Sequence, residues 1–382
     1  MKRSWTVTFA VVALSAPAIV AFAGMASADS IDDLVVAAKE EGQLTVMALP
    51  RDWCGYGDII DGFKAKYGLA VSELNPDASS RHQLEAIEAS RDTAGPEAPD
   101  VIDVGLSFGP SAKNDGLLQP YKVATWSTIP DSAKDADGYW YGDYYGVLAF
   151  EINADIVTKP PADWPDLLAA EYRNSVALAG NPLVSNQAIL GVFAAGLSAA
   201  DGRVDQAADE GLTFLAELQT KGNFVPVVGG VDSLAQGDTP ILIRWDYLAL
   251  GDRDRLAGKP KIEIVVPKTG VVAGVYVQGI SAFAPHPNAA KLWMEYLYSD
   301  EGQLAFLNGY CHPIRFKDLT SNKKMPVKLL QKLPQGGDDV TYGDPLFPTV
   351  EEQERAREII TKGWDAIVGV EVLHDDPDVP SQ

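Results

Sequence analysis

Only two cysteines and four histidines occur in 382 residues. That is too few for a disulfide scaffold, and the spacing of a zinc site is missing. Basic residues are also scarce, with 31 Lys plus Arg against 53 Asp plus Glu and a formal charge of -22. Such a surface repels phosphate backbones and anionic lipid, and no Lys/Arg run offers a local exception. Nucleic acid is therefore not expected as a partner. No Gly-rich loop ending in Lys-Ser/Thr and no Gly-x-Gly-x-x-Gly turn after a strand is present, so neither a nucleotide-dependent enzyme nor a bound cofactor is expected. Repeats of solenoid period and low-complexity tracts are absent. What is there is a chain with 46% hydrophobic residues, enough for two or three globular cores.

The first 28 residues look like an export signal. Lys2 and Arg3 precede an apolar run from residue 5 to 24, and Ala26-Ser27-Ala28 offers a small-residue cleavage site before Asp29. Cleavage after Ala28 would release a periplasmic protein with 29 basic and 53 acidic groups. No later apolar run approaches the roughly 20 residues that span a bilayer. In an oxidising compartment Cys54 and Cys311 are candidates for one disulfide, the alternative being two unpaired thiols. A bridge closing so long a loop would stabilise by about 5 kcal/mol at most.

Helical periodicity over 31–41, a stop at Gly42, a short apolar run over 43–49, a helix near 59–67 and a second run over 69–74 give strand, helix, strand. That order favours a parallel sheet with crossover helices. A helix over 81–91 and a strand at 101–104 continue the pattern. The aromatic-rich stretch 138–146 predicts a hairpin feeding a long strand through 153. Past the Pro-rich stretch 159–165, α/β alternation resumes with a strand at 175–178, helices over 186–199 and 204–220, and strands at 240–244, 262–266 and 275–283. Helices over 288–297, 300–307 and 349–367 follow, and 374–382 reads as a flexible tail.

Gly105-Leu106-Ser107-Phe108-Gly109 fits the nucleophile-elbow pattern of a serine hydrolase. Pro110 leaves only a brief helix behind the serine, and the late histidines His286 and His312 each precede a proline. A polar loop at a strand end is the plainer reading. Ferric iron can be held by tyrosinates and carboxylates, which keeps Tyr144, Tyr145 and Asp143 open as a ferric site. An aromatic packing cluster is the alternative. Otherwise polar and aromatic residues gather at strand ends: Arg51, Asp52, Trp53 and Tyr56; Ser107 and Phe108; Asn181, Ser185, Asn186 and Gln187; Arg244, Trp245, Asp246 and Tyr247. In open α/β sheets ligands bind beyond the carboxyl ends of strands, so this scatter suits a binding cleft better than a catalytic centre.

The chain resembles exported solute-binding proteins of ABC importers, in the branch with spermidine/putrescine- and ferric-iron-binding proteins. The resemblance rests on the helix-Gly-strand opening at 31–49, APDVIDV at 98–104 followed by NDGLL at 114–118, GYWY at 138–141 leading into GVLAFEIN at 146–153, and PNAAKLWMEYL at 287–297 followed by SDEGQ at 299–303. It implies a two-lobed α/β periplasmic-binding-protein fold of type II with strands crossing near 146–153 and 279–285. The first lobe would comprise 29–147 plus 281–310, and the second 148–280 plus 311–373. A cleft would close over a small solute and present it, as a monomer, to a membrane permease without covalent chemistry.

The resemblance also carries ligand expectations. Trp245 matches the aromatic that follows the family's late strand. Tyr276, Gln278 and Ser281 stand at the crossing where a polyamine binder would place an aromatic and an aspartate, and Asn181, Ser185 and Asn186 stand where acidic residues would be expected. Those departures point away from polyamines. A helix start at Ser185-Asn186 with Arg244 nearby suits a carboxylate or phosphonate, and Asp52 or Asp246 would hold an ammonium at the other end, with Trp53 as a wall. The alternatives are a plain helix cap for Ser185, an ion pair for Arg244 and Asp246, and lobe packing for Trp53. The expected cargo is a small charged solute, a zwitterion, an organic anion or a polyamine-like molecule; a ferric carrier or a hydrolase using Ser107 are the alternatives.

Overall fold

The computed structural model describes residues 31–91, 95, 98–331 and 345–373. The expected signal peptide at 1–28 and tail at 374–382 lie outside the described residues. The chain opens with α1 (Ile31–Glu41), β1 (Gln43–Met47), α2 (Tyr56–Tyr67), β2 (Ala70–Leu74), α3 (Ser80–Ala89), β3 (Val101–Gly105), α4 (Phe108–Asn114) and β4 (Leu118–Gln119). Ile59, Ile60 and Phe63 form the buried stripe of α2, and left-handed Gly68 closes it by returning its N–H to the Lys64 carbonyl. All five residues of β3 are buried, as expected of a strand covered on both faces by crossover helices.

The 14-residue strand β5 (Trp140–Asn153) follows. The hairpin expected within 138–146 does not form. The chain turns earlier, where Gly138 N–H donates to the Asp135 carbonyl, and 140–153 then runs as one strand. Next come β6 (Val176–Leu178), α5 (Asn186–Ala199), α6 (Ala207–Thr220), β7 (Phe224–Val228), α7 (Val231–Gln236), β8 (Ile241–Trp245), α8 (Asp246–Leu256) and β9 (Ile262–Val265). The chain ends with β10 (Ala273–Ser281), α9 (Pro287–Leu297), α10 (Asp300–Asn308), β11 (His312–Pro313), α11 (Phe316–Ser321), α12 (Val327–Leu330) and α13 (Val350–Ile367).

The strand order β2-β1-β3-β10-β5-β8-β6-β7 contains two halves joined by β5. Residues 140–147 of β5 pair antiparallel with β10, while Leu148 to Asn153 pair with β8 and β9. The first half carries parallel β1, β2 and β3, and the second carries parallel β6, β7 and β8. Helices α5, α6 and α13 pack on the second half. There α5 and α6 cross so closely that a β-carbon on Gly196 would meet the Ala207 carbonyl oxygen at 1.8 Å, so only glycine fits.

The return strand differs from expectation. β10 pairs with β3 over Tyr276 to Ile280 and with β5 from Ala273, so it belongs to the first half throughout. The return therefore lies near Val272, whose carbonyl accepts the Leu148 N–H, and not at 279–285. Gly279, where the expected crossing would begin, instead makes room for Leu118; a β-carbon there would sit 3.0 Å from its side chain. Likewise β11 pairs with Tyr144 and Tyr145 in the first half, while α13 lies on the second. Residues 311–373 are thus shared between the halves, where a single second-lobe segment was expected.

Candidate functional site

A cavity of about 610 Å³ lies between the halves, beyond the carboxyl ends of β1, β3, β6 and β8. From the first half come the loop after β1 with Asp52 and Trp53, the start of α3 with Ser79, Ser80 and Gln83, and Asp103, Tyr276 and Tyr310. From the second come the start of α5 with Ser185, Asn186 and Gln187, the turn 229–233, and Arg244, Asp252 and Arg255.

Two helices aim their N-termini at this cavity, one from each half. Ser79 caps α3 by accepting the His82 N–H, and Ser185 caps α5 by accepting the Ala188 N–H. The remaining N–H groups of each first turn have no acceptor within the helix, and the peptide dipoles add partial positive charge there. Gln187 fixes the α5 start, donating from Nε2 to the Ala179 carbonyl at 2.6 Å and accepting the Trp245 N–H at 2.8 Å. Arg244 borders the same wall. Its Nη1 lies 3.0 Å from Glu151 Oε2 and 2.5 Å from Asp252 Oδ2, and its Nε is buried without a partner among the described residues. Burial lifts the Glu151 carboxyl to about 7 despite that contact.

The floor is a buried acid network. The Tyr56 hydroxyl lies 2.9 Å from Asp103 Oδ2 and 3.1 Å from Asp143 Oδ2, Tyr144 donates to Asp103 Oδ2 at 2.9 Å, and Gln278 Nε2 donates to Tyr56 at 3.0 Å and to Asp143 at 3.2 Å. Burial raises Asp103 to about 7 and pushes Asp143 well above the ordinary carboxylate range; it also pushes the Tyr56 and Tyr144 phenols well up. Trp53 donates from Nε1 to the Tyr144 hydroxyl at 2.8 Å and meets the Tyr276 ring edge-on at 5.7 Å between centroids. Cys54 and Cys311 are joined by a disulfide with α-carbons 5.2 Å apart, tying the Trp53 loop to the segment that carries Tyr310. Two polar contacts bridge the mouth: Arg255 Nη1 to Asp52 Oδ2 at 3.4 Å, and Tyr310 to Asp254.

Of the residues proposed from sequence, Asp52, Trp53, Ser185, Asn186, Arg244 and Tyr276 line the cavity. Tyr56 and Gln278 sit beneath it in the acid network. Ser107 and Phe108 are buried at the start of α4, with the Arg357 guanidinium 4.5 Å over the Phe108 ring. Tyr145 stacks on His312 at 4.7 Å, with its phenol pushed up to about 12 by burial. Asn181 accepts the Leu183 N–H in a turn, and buried Trp245 donates to the Tyr276 hydroxyl at 3.3 Å. Asp246 accepts the Val147 N–H at 2.9 Å and lies 3.3 Å from His312 Nε2, while Asp100 lies 2.9 Å from His286 Nδ1. Both late histidines, which a hydrolase built on Ser107 would need as partners, are thus held by aspartates.

Sequence reasoning did not single out Asp103, the Ser79-Ser80-Gln83 helix start, the turn 229–233, Asp252, Arg255 or Tyr310 as site residues. The available signals were an aspartate inside the otherwise apolar strand VIDVG and a serine pair ahead of a helix.

A family model for bacterial extracellular solute-binding protein matches residues 97–339. Iron uptake protein A2 of Synechocystis sp. is 24% identical over 253 residues, covering 63% of this chain and 71% of that protein. Among solved structures, the periplasmic binding protein AfuA of Actinobacillus pleuropneumoniae, with exogenous fructose-6-phosphate bound, aligns with a TM-score of 0.66 at 19% identity, over 86% of this chain and 99% of that one. Iron-bound HitA of Pseudomonas aeruginosa aligns with a TM-score of 0.64 at 16% identity, again over 86% and 99%. Both carry the two-lobed fold.

Proposed function

The chain belongs to the bacterial extracellular solute-binding proteins, which serve ABC importers, and on that footing we propose that its cargo is a small organic anion or zwitterion held between the lobes by a carboxylate or phosphate-like group. The observation that carries this is the convergence of the α3 and α5 N-termini, from opposite halves, on one cavity bordered by Arg244 and Arg255. An anion bound there draws on both helix starts at once, and only when the cleft is closed. The differential affinity that drives closure therefore comes from the ligand itself. AfuA, which shares the fold, holds a sugar phosphate, in keeping with this chemistry.

The second reading, a ferric carrier, is favoured by the name of Iron uptake protein A2 and by the iron bound to HitA. Ferric iron takes phenolate ligands, whereas the Tyr56 and Tyr144 hydroxyls are engaged with the buried aspartates, the Tyr276 hydroxyl accepts from Trp245, and Tyr145 stacks on His312 away from the cavity. The chain is exported, cleaved after Ala28, and works in the periplasm as a monomer that delivers its solute unchanged to a permease. Its excess of 53 acidic over 29 basic groups after cleavage keeps it from nucleic acid.

Thermal unfolding with sugar phosphates, amino acids, phosphonates, polyamines and ferric citrate tests the reading. Ligand at 100 times its Kd adds about 2.7 kcal/mol to apparent stability, so anions or zwitterions should raise the Tm. A rise with polyamines or ferric citrate alone would refute it. The intact mass of the exported protein reports the cleavage point.

A further inference from the structure

The cavity floor holds a carboxylate oxygen with nothing to bind. Asp103 Oδ2 takes the hydroxyls of Tyr56 and Tyr144, each at 2.9 Å, while Oδ1 is buried and has no hydrogen-bond partner among the described residues. Its backbone is fixed as well. Gln83 grips its peptide from both sides, Oε1 accepting the Asp103 N–H at 2.8 Å and Nε2 donating to the Asp103 carbonyl at 2.5 Å. Asp103 lines the cavity beside Trp53 and Tyr276. A buried carboxylate with an unmet acceptor, next to electron-rich rings, lacks a cation or a strong donor.

The groups facing it do not supply one. They are Tyr56 from α2, Gln83 from α3, Asp143 and Tyr144 from β5, Tyr276 and Gln278 from β10, Tyr247 from α8 and Tyr298 just past α9, none of them cationic. The aspartates expected to hold an ammonium are otherwise engaged: Asp52 pairs at the rim with Arg255, and Asp246 is buried on Val147 N–H and His312.

We infer that Asp103 Oδ1 receives an ammonium group of the cargo, so that the solute class is an amine-bearing anion, such as an amino acid, an aminophosphonate or an amino-sugar phosphate, and not a plain sugar phosphate or carboxylate. This rests on the anion reading given above and adds the opposite end of the ligand. Because burial holds Asp103 near 7, the empty protein at neutral pH carries a proton there part of the time, and an arriving ammonium displaces it to solvent. Capture is then accompanied by proton release.

Calorimetry with three matched pairs decides the matter: 2-aminoethylphosphonate and ethylphosphonate, 4-aminobutyrate and butyrate, glucosamine-6-phosphate and glucose-6-phosphate. A charge-assisted hydrogen bond predicts that in at least one pair the aminated member binds about tenfold or more tightly. Its heat at pH 7 should differ between phosphate and Tris buffers by the amount a released proton dictates, and Asp103→Asn should close the gap between the two members. Equal binding of the members, with the anion itself bound, overturns the inference and leaves the anion reading standing. Binding of ferric citrate with none of the six overturns both readings. Binding of no aminated probe, or a gap that survives Asp103→Asn, also overturns the inference. If Asp103→Asn does not fold, as judged by thermal unfolding, the wild-type gap and the buffer dependence decide alone.

Discussion

The Tyr56 hydroxyl has one hydrogen and two carboxylates within reach, Asp103 at 2.9 Å and Asp143 at 3.1 Å. Both acids can be satisfied through it only if one of them brings a proton of its own, which agrees with burial raising both above their ordinary range. The consequence for stability has a definite sign. An acid whose folded value exceeds its unfolded value of about 4 contributes fully below pH 4 and loses that contribution as pH rises through the folded value, here about 7 for Asp103. Each such group gives a slope of at most about 1.4 kcal/mol per pH unit. Urea unfolding at pH 5 and pH 8 should show Asp103→Asn improving relative to wild type at the higher pH. An unchanged difference between the two pH values would remove the shared proton.

Arg244 makes the complementary case. Its charge is matched by Glu151 and Asp252 inside the second half, so it acts first as the keystone of a buried triad and only secondarily as a wall of the cavity. Removing one partner of a buried ion pair strands the other, at a cost of about 3–5 kcal/mol. Arg244→Ala should lose about that much in denaturant unfolding at pH 8. It should lose less at pH 5, where Glu151, already near 7, is fully protonated and the stranded charge is smaller.

At the scale of elements, the disulfide decides how the cavity wall is held. Cys54 follows Trp53 directly and Cys311 follows Tyr310, so one bond fixes two lining segments that are 257 residues apart in sequence. Replacing both cysteines with serine should cost about 2–5 kcal/mol and weaken ligand binding as the Trp53 loop loosens, both read by thermal unfolding with and without ligand. The order of strands and helices was legible in sequence because each carries its own signal: the stripe of Ile59, Ile60 and Phe63 in α2, Gly68 as its stop, and the apolar stretch 147–150 within β5. The path of β10 was not. Its glycines look alike in sequence, and only the partner shows that Gly279 accommodates Leu118 while the crossing falls near Val272. The same reason separates Trp53 and Ser185, which reach the cavity, from Tyr56 and Gln278, which were drawn into a buried network by Asp103 and Asp143 from distant strands. A polar residue at a strand end announces the region of a site; whether it faces ligand depends on partners that sequence distance conceals.

For the molecule as a whole, function requires that the two halves approach and separate, so contacts across the cleft should differ in how much they control that equilibrium. At the mouth, Arg255 and Asp52 are both substantially exposed and 3.4 Å apart; such pairs contribute about 0–1 kcal/mol, and Arg255→Ala should change affinity only a few-fold. Deep in the cleft the constraint is steric. Gly105 at the end of β3 faces Asn186 at the start of α5, and a β-carbon there would lie 2.1 Å from Asn186 Cγ. Asn186 is itself buried, and the α5 start is fixed by Gln187 to Ala179 and Trp245, so the side chain has little room to yield. An open form, with the halves apart, would be free of this clash, because the two residues belong to different halves. Gly105→Ala should therefore leave the Tm of the ligand-free protein nearly unchanged while lowering affinity by more than tenfold, since a ligand can only shift the equilibrium by its differential affinity for the closed state. Small-angle scattering provides the check: wild type should contract when saturated with ligand, and the variant should keep the wider radius of gyration at the same ligand concentration. A variant that contracts and binds like wild type would mean that β3 and α5 do not meet in the ligand-bound state.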